Sequence, residues 1–282
     1  MSFERLKARL LGGAVAVLCL YLVLFASIAI SQRSYIYSPS VASAEQMLGE
    51  ATRAKLEPWC AADGSVIGWH RPSKGANKLL VFHGSAGHAV HRSNYANGFT
   101  ALDQGQRWEV WLHEYPGFGA KPGHPCRSEF DHSANQAAEQ LLAMDSRPLF
   151  VLGESLGSGV ACNLAAHLGD RLGGLILVVP YARMADVAAS KFPFLPVRWC
   201  LLDRWDNIDA LAPLKLRTAV LIAGQDEVVG TAQGEKLFAS IHAPKQRWIY
   251  PRATHNDPGI QSITPWAREV SDFLLDPSPA NP

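Results

Sequence analysis

Leu149-Phe150-Val151-Leu152-Gly153-Glu154-Ser155-Leu156-Gly157-Ser158-Gly159-Val160 is the stretch whose reading decides the fold. It opens as a short apolar run, the mark of a buried strand, and continues into Ala161–Leu168, which has helical composition. A serine at so sharp a strand-to-helix turn takes a strained backbone conformation and exposes its hydroxyl above the sheet edge. Gly153 and Gly157 flank it because a Cβ at either place would strike the neighbouring strand or helix. The small Ser158 and Gly159 are expected to let the helix lie close to the strand. The helix N-terminus adds backbone N–H groups and a dipole that favour a developing anion. The five-residue pattern arises by chance in chains with this much Gly and Ser, so its strand–turn–helix setting carries the weight.

Outward from that stretch, strands and helices alternate. Lys55–Cys60 and Ser65–His70, joined through Asp63-Gly64, read as a β-hairpin. Strands are expected at Lys78–Phe82, Trp108–Glu114, Leu149–Leu152, Leu175–Val179, Ala219–Ala223 and Arg247–Tyr250. Helices are expected within Asn94–Gln104, at Glu129–Met144 and at Ile260–Leu275. This order predicts an α/β fold with a mostly parallel central sheet covered on both faces, its active site outside the carboxyl ends of the strands. Between Pro180 and Leu214 the alternation breaks. Phe192-Pro193-Phe194-Leu195-Pro196-Val197-Arg198-Trp199 and Trp205 lie there, either packing over the sheet edge or forming a short cap that lines the acyl half of a pocket.

Leu10–Ile30 holds no charge and is long enough to cross a bilayer as a helix. Arg5, Lys7 and Arg9 precede it and only Arg33 follows closely. The positive-inside rule therefore puts the N-terminus in the cytoplasm and the catalytic domain on the outer, extracytoplasmic side. Ser27-Ile28-Ala29 and Ala29-Ile30-Ser31 leave a cleaved signal peptide, and so a secreted form, as the competing reading; the long apolar run favours a retained anchor. The expected organisation is a basic stub plus transmembrane anchor at 1–31, a juxtamembrane connector at 32–54, the α/β domain at 55–275 with its cap at 181–213, and a disordered tail at 276–282. The 282 residues suffice for one large core, and the net charge of +1 without a basic run argues against a nucleic-acid partner. Cys19, Cys60, Cys126, Cys162 and Cys200 are scattered singly and fit no metal spacing. The last four admit disulfides in an exported domain, although Cys162 reads equally as a buried thiol.

A serine hydroxyl needs a base to take its proton, and the base needs a group to orient it. Beyond Ser155, the strand ending at Ala223 runs into Gly224-Gln225-Asp226-Glu227-Val228-Val229, which puts Asp226 in the place of the acid, with Glu227 beside it. His255 is the one histidine after the last strand and the expected base. Asp257 reads as a helix cap before Pro258. Two backbone N–H groups should stabilise the oxyanion: Leu156, directly after the serine, and Ser85, in the turn His83-Gly84-Ser85-Ala86-Gly87. His83 reads as a loop histidine bonded to backbone. No metal or organic cofactor is required.

Taken together, His83–Gly87, Glu114-Tyr115-Pro116-Gly117-Phe118-Gly119, Gly153–Gly157, Pro193–Asn207, Gly224–Val229 and His255-Asn256-Asp257 resemble the α/β-hydrolase superfamily. Within it the chain is similar to the Bem46-like group of the ABHD13 and ABHD17 type. The likeness runs from about Lys55 to Leu275. Ser85 stands where Asn is common, and Glu114-Tyr115-Pro116 where Asp-Tyr-Arg is. The resemblance implies a serine hydrolase acting on a carboxylic ester or thioester, with esterase, lipase-like or depalmitoylase-like activity. An outward-facing domain suits a lipid or small acyl ester better than cytosolic acylated proteins. The alternatives are amide or carbon–carbon bond hydrolysis by the same three residues, and a non-catalytic binding module on the same fold, which the intact Ser, acid and His argue against. Reporter fusions placed after Ser40 are expected to be active only outside the cytoplasm; activity only in the cytosol would reverse the topology.

Overall fold

The computed structural model describes residues 3–256 and 263–276. Helix α1 (Phe3–Ile36) contains the one stretch among the described residues that is long and apolar enough to cross a membrane, Arg9–Ile36. It is followed by the short strand β1 (Ser38–Pro39), helix α2 (Ala44–Arg53), and strands β2 (Glu57–Cys60), β3 (Val66–Arg71) and β4 (Asn77–Phe82). Next come β5 (Ala86–Gly87), α3 (Ser93–Thr100), β6 (Trp108–His113), α4 (Arg127–Met144), β7 (Leu149–Glu154), α5 (Leu156–Leu168) and β8 (Leu172–Val178). The cap helices α6 (Met184–Lys191), α7 (Val197–Cys200) and α8 (Asn207–Leu211) precede β9 (Thr218–Ala223), α9 (Thr231–Ser240), β10 (Lys245–Tyr250) and α10 (Ile263–Leu275).

The main sheet runs β10-β9-β8-β7-β4-β6-β3-β2 and is parallel from β10 to β6, with β3 and β2 antiparallel at the edge. This is the α/β-hydrolase fold that the sequence predicts. Its central strands are buried on both faces. On β4, Leu80 and Phe82 join one core and Leu79 and Val81 the other, as the two-residue period of a strand requires. The first core packs against α4, α5 and the cap; the second packs against α3 and α10, where Phe99, Trp108 and Trp266 meet edge to face.

Two expectations shift, and others lie outside the described residues. The helix expected within Asn94–Gln104 stops at Thr100, because Asp103 and Gln104 take left-handed backbone conformations and turn the chain. Residues 257–262, including Asp257 and the start expected for the last helix, and residues 277–282 of the expected tail lie outside the described residues. The five cysteines are free thiols, and burial pushes Cys162 well above the usual thiol range.

Residues 32–54 form folded structure. Ser38 and Ser40 donate backbone N–H groups to the Ser85 and Gly87 carbonyls, so β1 lies parallel to β5. Gly119 and Ala42 continue the pairing on the other side. Ser43 and Gln46 close a capping box on α2, which buries Met47 and Ala51.

Lys78, fully buried on β4, sends its ammonium to the Leu141 carbonyl (2.6 Å), the Asp145 carbonyl (3.0 Å) and Asp145 Oδ1 (3.0 Å). It thereby caps the last turn of α4, whose carbonyls have no partner within the helix. Arg147, followed by Lys78, holds the Asp145 carboxyl well below the usual range. Lys78→Met is expected to lower stability by about 3 kcal/mol, read as a shift in the urea unfolding midpoint, because it strips those acceptors of a charged donor.

Candidate active site

Ser155 sits between β7 and α5 at φ 51° and ψ −115°, a backbone conformation that costs about 1–3 kcal/mol and holds only where its surroundings enforce it. The surroundings do so from three sides. The Ser155 N–H donates to the Val178 carbonyl on β8, and the Ser155 carbonyl accepts the Ser158 hydroxyl at 2.6 Å. A Cβ on Gly157 would collide with the Phe82 and His83 carbonyls at the end of β4, and one on Gly153 would reach 2.7 Å from Ala161 Cβ in α5. Gly159 differs from expectation: its space is taken by Tyr181 and Trp205 of the cap region, so this glycine seats the cap and not the strand.

His255 Nε2 lies 2.8 Å from Ser155 Oγ, and His255 Nδ1 lies 2.7 Å from Asp226 Oδ2. With its proton on Nδ1, the imidazole donates to the carboxylate and accepts from the hydroxyl. Asp226 Oδ1 accepts the backbone N–H groups of Val228, Val229 and Gly230 at 3.0, 2.9 and 3.2 Å. Burial pushes the Asp226 carboxyl up, but the His255 hydrogen bond and charge and these N–H groups outweigh it and hold the group below the usual range. Glu227, the neighbouring candidate, instead accepts the His255 backbone N–H at 3.3 Å. Asp203 and Asp206 are engaged elsewhere, by Arg33 and Arg183.

Leu156 opens α5, so its N–H has no intrahelical acceptor. Ser85 and Leu156 line the same cavity as Ser155. His83 donates Nδ1–H to the Gly84 carbonyl at 2.8 Å, and its Nε2 stands 3.4 Å from Glu114 Oε1. The Glu114 carboxylate also accepts the Ala89 N–H, and the Tyr115 hydroxyl reaches the His83 carbonyl at 3.0 Å. Glu114, through the Ala89 N–H, and Tyr115, through the His83 carbonyl, thus place buried polar contacts under the loop that carries Ser85.

The cavity measures about 380 Å³ and is mostly apolar. Met184, Val187, Ala188, Phe192 and Leu201 of the cap form one wall. Ile28, Ala29, Gln32, Tyr35 and Ile36, from the end of α1, form another. Sequence reasoning anticipated the first wall but not the second. It also missed Arg92, whose guanidinium grips Glu154 through Nε (2.7 Å) and Nη2 (2.9 Å) directly behind the serine. Burial raises the Glu154 carboxyl, yet Arg92 and a hydrogen bond from Tyr95 bring it below the usual range. An acidic residue at the end of an apolar strand was the available signal, since a carboxylate there needs a cation. Among the described residues, metal-type donors gather at Glu50, His88 and His91. The Glu50 carboxylate lies 3.3 and 3.9 Å from the two imidazoles, and none of the three lines the cavity.

Comparison with known proteins agrees with this architecture. The family model for the alpha/beta hydrolase fold matches residues 77–206. An uncharacterized protein of Mycobacterium tuberculosis is 32% identical, over 98% of each chain. Protein bem46 of Schizosaccharomyces pombe is 28% identical over 70% of this chain and 67% of its own. Lysophosphatidylserine lipase ABHD12 of Rattus norvegicus is 27% identical over 67% of this chain and 51% of its own, so the likeness spans about half of that protein. Among solved structures, an esterase of Pyrococcus furiosus superposes with a TM-score of 0.62 at 14% identity, covering 85% of this chain and 97% of that one. The chain is an alpha/beta hydrolase by family model and fold, and its relatives fit a Bem46-like alpha/beta hydrolase.

Arg92→Ala, which leaves the Glu154 carboxylate without its cation, is expected to destabilise the fold by about 3 kcal/mol. Arg92→Ala combined with Glu154→Gln should recover part of that loss. Thermal melts of the single and double variants check both expectations.

Proposed function

We propose that the chain is a membrane-anchored serine hydrolase that cleaves a carboxylic ester or thioester, of a lipid or small acyl compound, through an acyl-enzyme on Ser155. The observation that carries this reading is the unbroken hydrogen-bond chain Ser155–His255–Asp226 at the wall of an apolar cavity. His255 Nε2 takes the Ser155 proton as Oγ attacks the acyl carbon, while Asp226 holds the imidazole in the required tautomer and balances its charge. The Leu156 and Ser85 N–H groups receive the oxyanion. His255 then returns the proton to the leaving alkoxide or thiolate. In the second half, water gives its proton to His255 and attacks the acyl carbon; the acyl–Oγ bond breaks, His255 returns the proton to Ser155 Oγ, and the carboxylic acid is released.

The apolar cavity supports acyl substrates, as does kinship with a protein named for lipase activity on lysophosphatidylserine. The length and hydropathy of α1 support retention in a membrane, and the charges flanking it support a catalytic domain on the outer face.

A fluorophosphonate probe is expected to label the full chain but not Ser155→Ala or His255→Ala. Asp226→Asn should lower turnover of p-nitrophenyl esters by about 10³–10⁴-fold. A folded parent chain that fails to label would overturn the proposal.

A further inference from the structure

The Tyr21 hydroxyl donates to the Phe194 carbonyl at 3.2 Å. Tyr21 lies in the middle of the apolar run of α1, nine residues and about 14 Å before Ile30, so the tip of the cap reaches far down that helix. Gln32 fastens the cap nearer the end of α1, donating to the Cys200 carbonyl (3.2 Å) and accepting the Leu202 N–H (2.7 Å). Arg33 adds an ion pair with Asp203 at 3.0 Å.

This contact fixes depth. If the cap stood in water, Tyr21–Ile30 would have to be withdrawn from the bilayer as well. Leu10–Leu20 would then remain, about 16 Å of helix, too short for a hydrocarbon core of about 30 Å. The cap surface has the composition that immersion demands. Phe194 is 88% exposed, Trp199 84% and Leu202 64%, and Phe192–Val197 contains no charge. Its backbone is also prepared for a dry medium. Pro193 and Pro196 have no N–H, and the N–H groups of Leu195, Trp199 and Leu201 find carbonyls within the segment. The nearby cations are occupied: Arg198 by Asp186, and Arg204 by the Leu201, Arg198 and Trp199 carbonyls. Ile28 and Ala29 belong both to the apolar run and to the cavity wall, so the cavity extends to the level of the hydrocarbon.

We infer that the segment Phe192–Leu202 is embedded in the membrane leaflet beside α1, and that the cavity takes its substrate sideways from the bilayer, as the acyl chain of a membrane-resident ester. The inference rests on the reading of α1 as a retained span and of Ser155 as the nucleophile. Phe194, Trp199 and Leu202 lie outside the cavity lining, so their part is contact with lipid.

The test uses the full chain in phosphatidylcholine vesicles. Subtracting the emission of Trp199→Phe isolates one of the eight tryptophans. Phosphatidylcholine brominated along its acyl chains is expected to quench that component, and aqueous iodide to leave it unquenched. Quenching by iodide overturns the inference. So does protection from both quenchers in a chain that crosslinks as a dimer, since a second copy would then cover the face. In a second arm, Phe194→Ser with Trp199→Ser should lower kcat/KM at least about ten-fold for p-nitrophenyl palmitate carried in the vesicles. Hydrolysis of soluble p-nitrophenyl butyrate should change less than about two-fold; an equal loss on both esters counts against lateral entry. A parent chain that labels with neither probe nor ester refutes the hydrolase reading, while the quenching arm still decides where the cap lies. Release of the parent chain by alkaline carbonate refutes the anchor, and with it this inference.

Discussion

Everything in this molecule is arranged to hold one serine in a backbone conformation that a serine disfavours. At φ 51°, Ser155 would relax if α5 could move away from β4, and the absence of a Cβ on Gly157 is what lets the helix press against the Phe82 carbonyl. The parallel neighbours β4 and β8 supply the rigid floor. Arg92 and Glu154 close the turn from behind with a paired charge in place of a mobile one. The strain is therefore distributed over a sheet, a helix and an ion pair, and the hydroxyl is left at the one place where His255 can reach it.

The N-terminal segment is tied into that arrangement at two levels. The β1–β5 pairing fixes the loop of Ser85 from outside, while Glu114 and His83 brace it from below. The end of α1 walls the cavity and is locked to the cap by Gln32 and Arg33. An anchor joined by a slack connector would leave the orientation of the domain free. Here helix α1, the loop and the cap are parts of one packed body.

The strands, their mostly parallel arrangement and the Ser155–Asp226–His255 grouping were legible because each depends on local patterns: apolar runs of strand length, and polar residues just past their carboxyl ends. The choice between Asp226 and Glu227 was less so, because adjacent carboxylates look alike until the turn sends one to the ring and the other to a main-chain N–H. Gly159 was assigned to the wrong neighbour, since sequence spacing says that a helix face is small but not what lies against it. The wall built from Ile28–Ile36 had no local signature at all. Its residues satisfy the composition of a membrane span, and nothing in that composition announces a second duty as a pocket surface.

The contacts between α1 and the cap join residues far apart in the chain: Gln32 and Cys200 are separated by 168 positions. Closing a loop of that length carries a larger entropic cost than closing a short one. During synthesis the first part of the cavity to emerge is the end of α1, and the cap and then Val228 and Val229 complete it much later. A partly made chain therefore has its wall without its roof, and its serine without its histidine. The Ser155–His255 hydrogen bond joins residues 100 positions apart, so the site is complete only once most of the chain has been made.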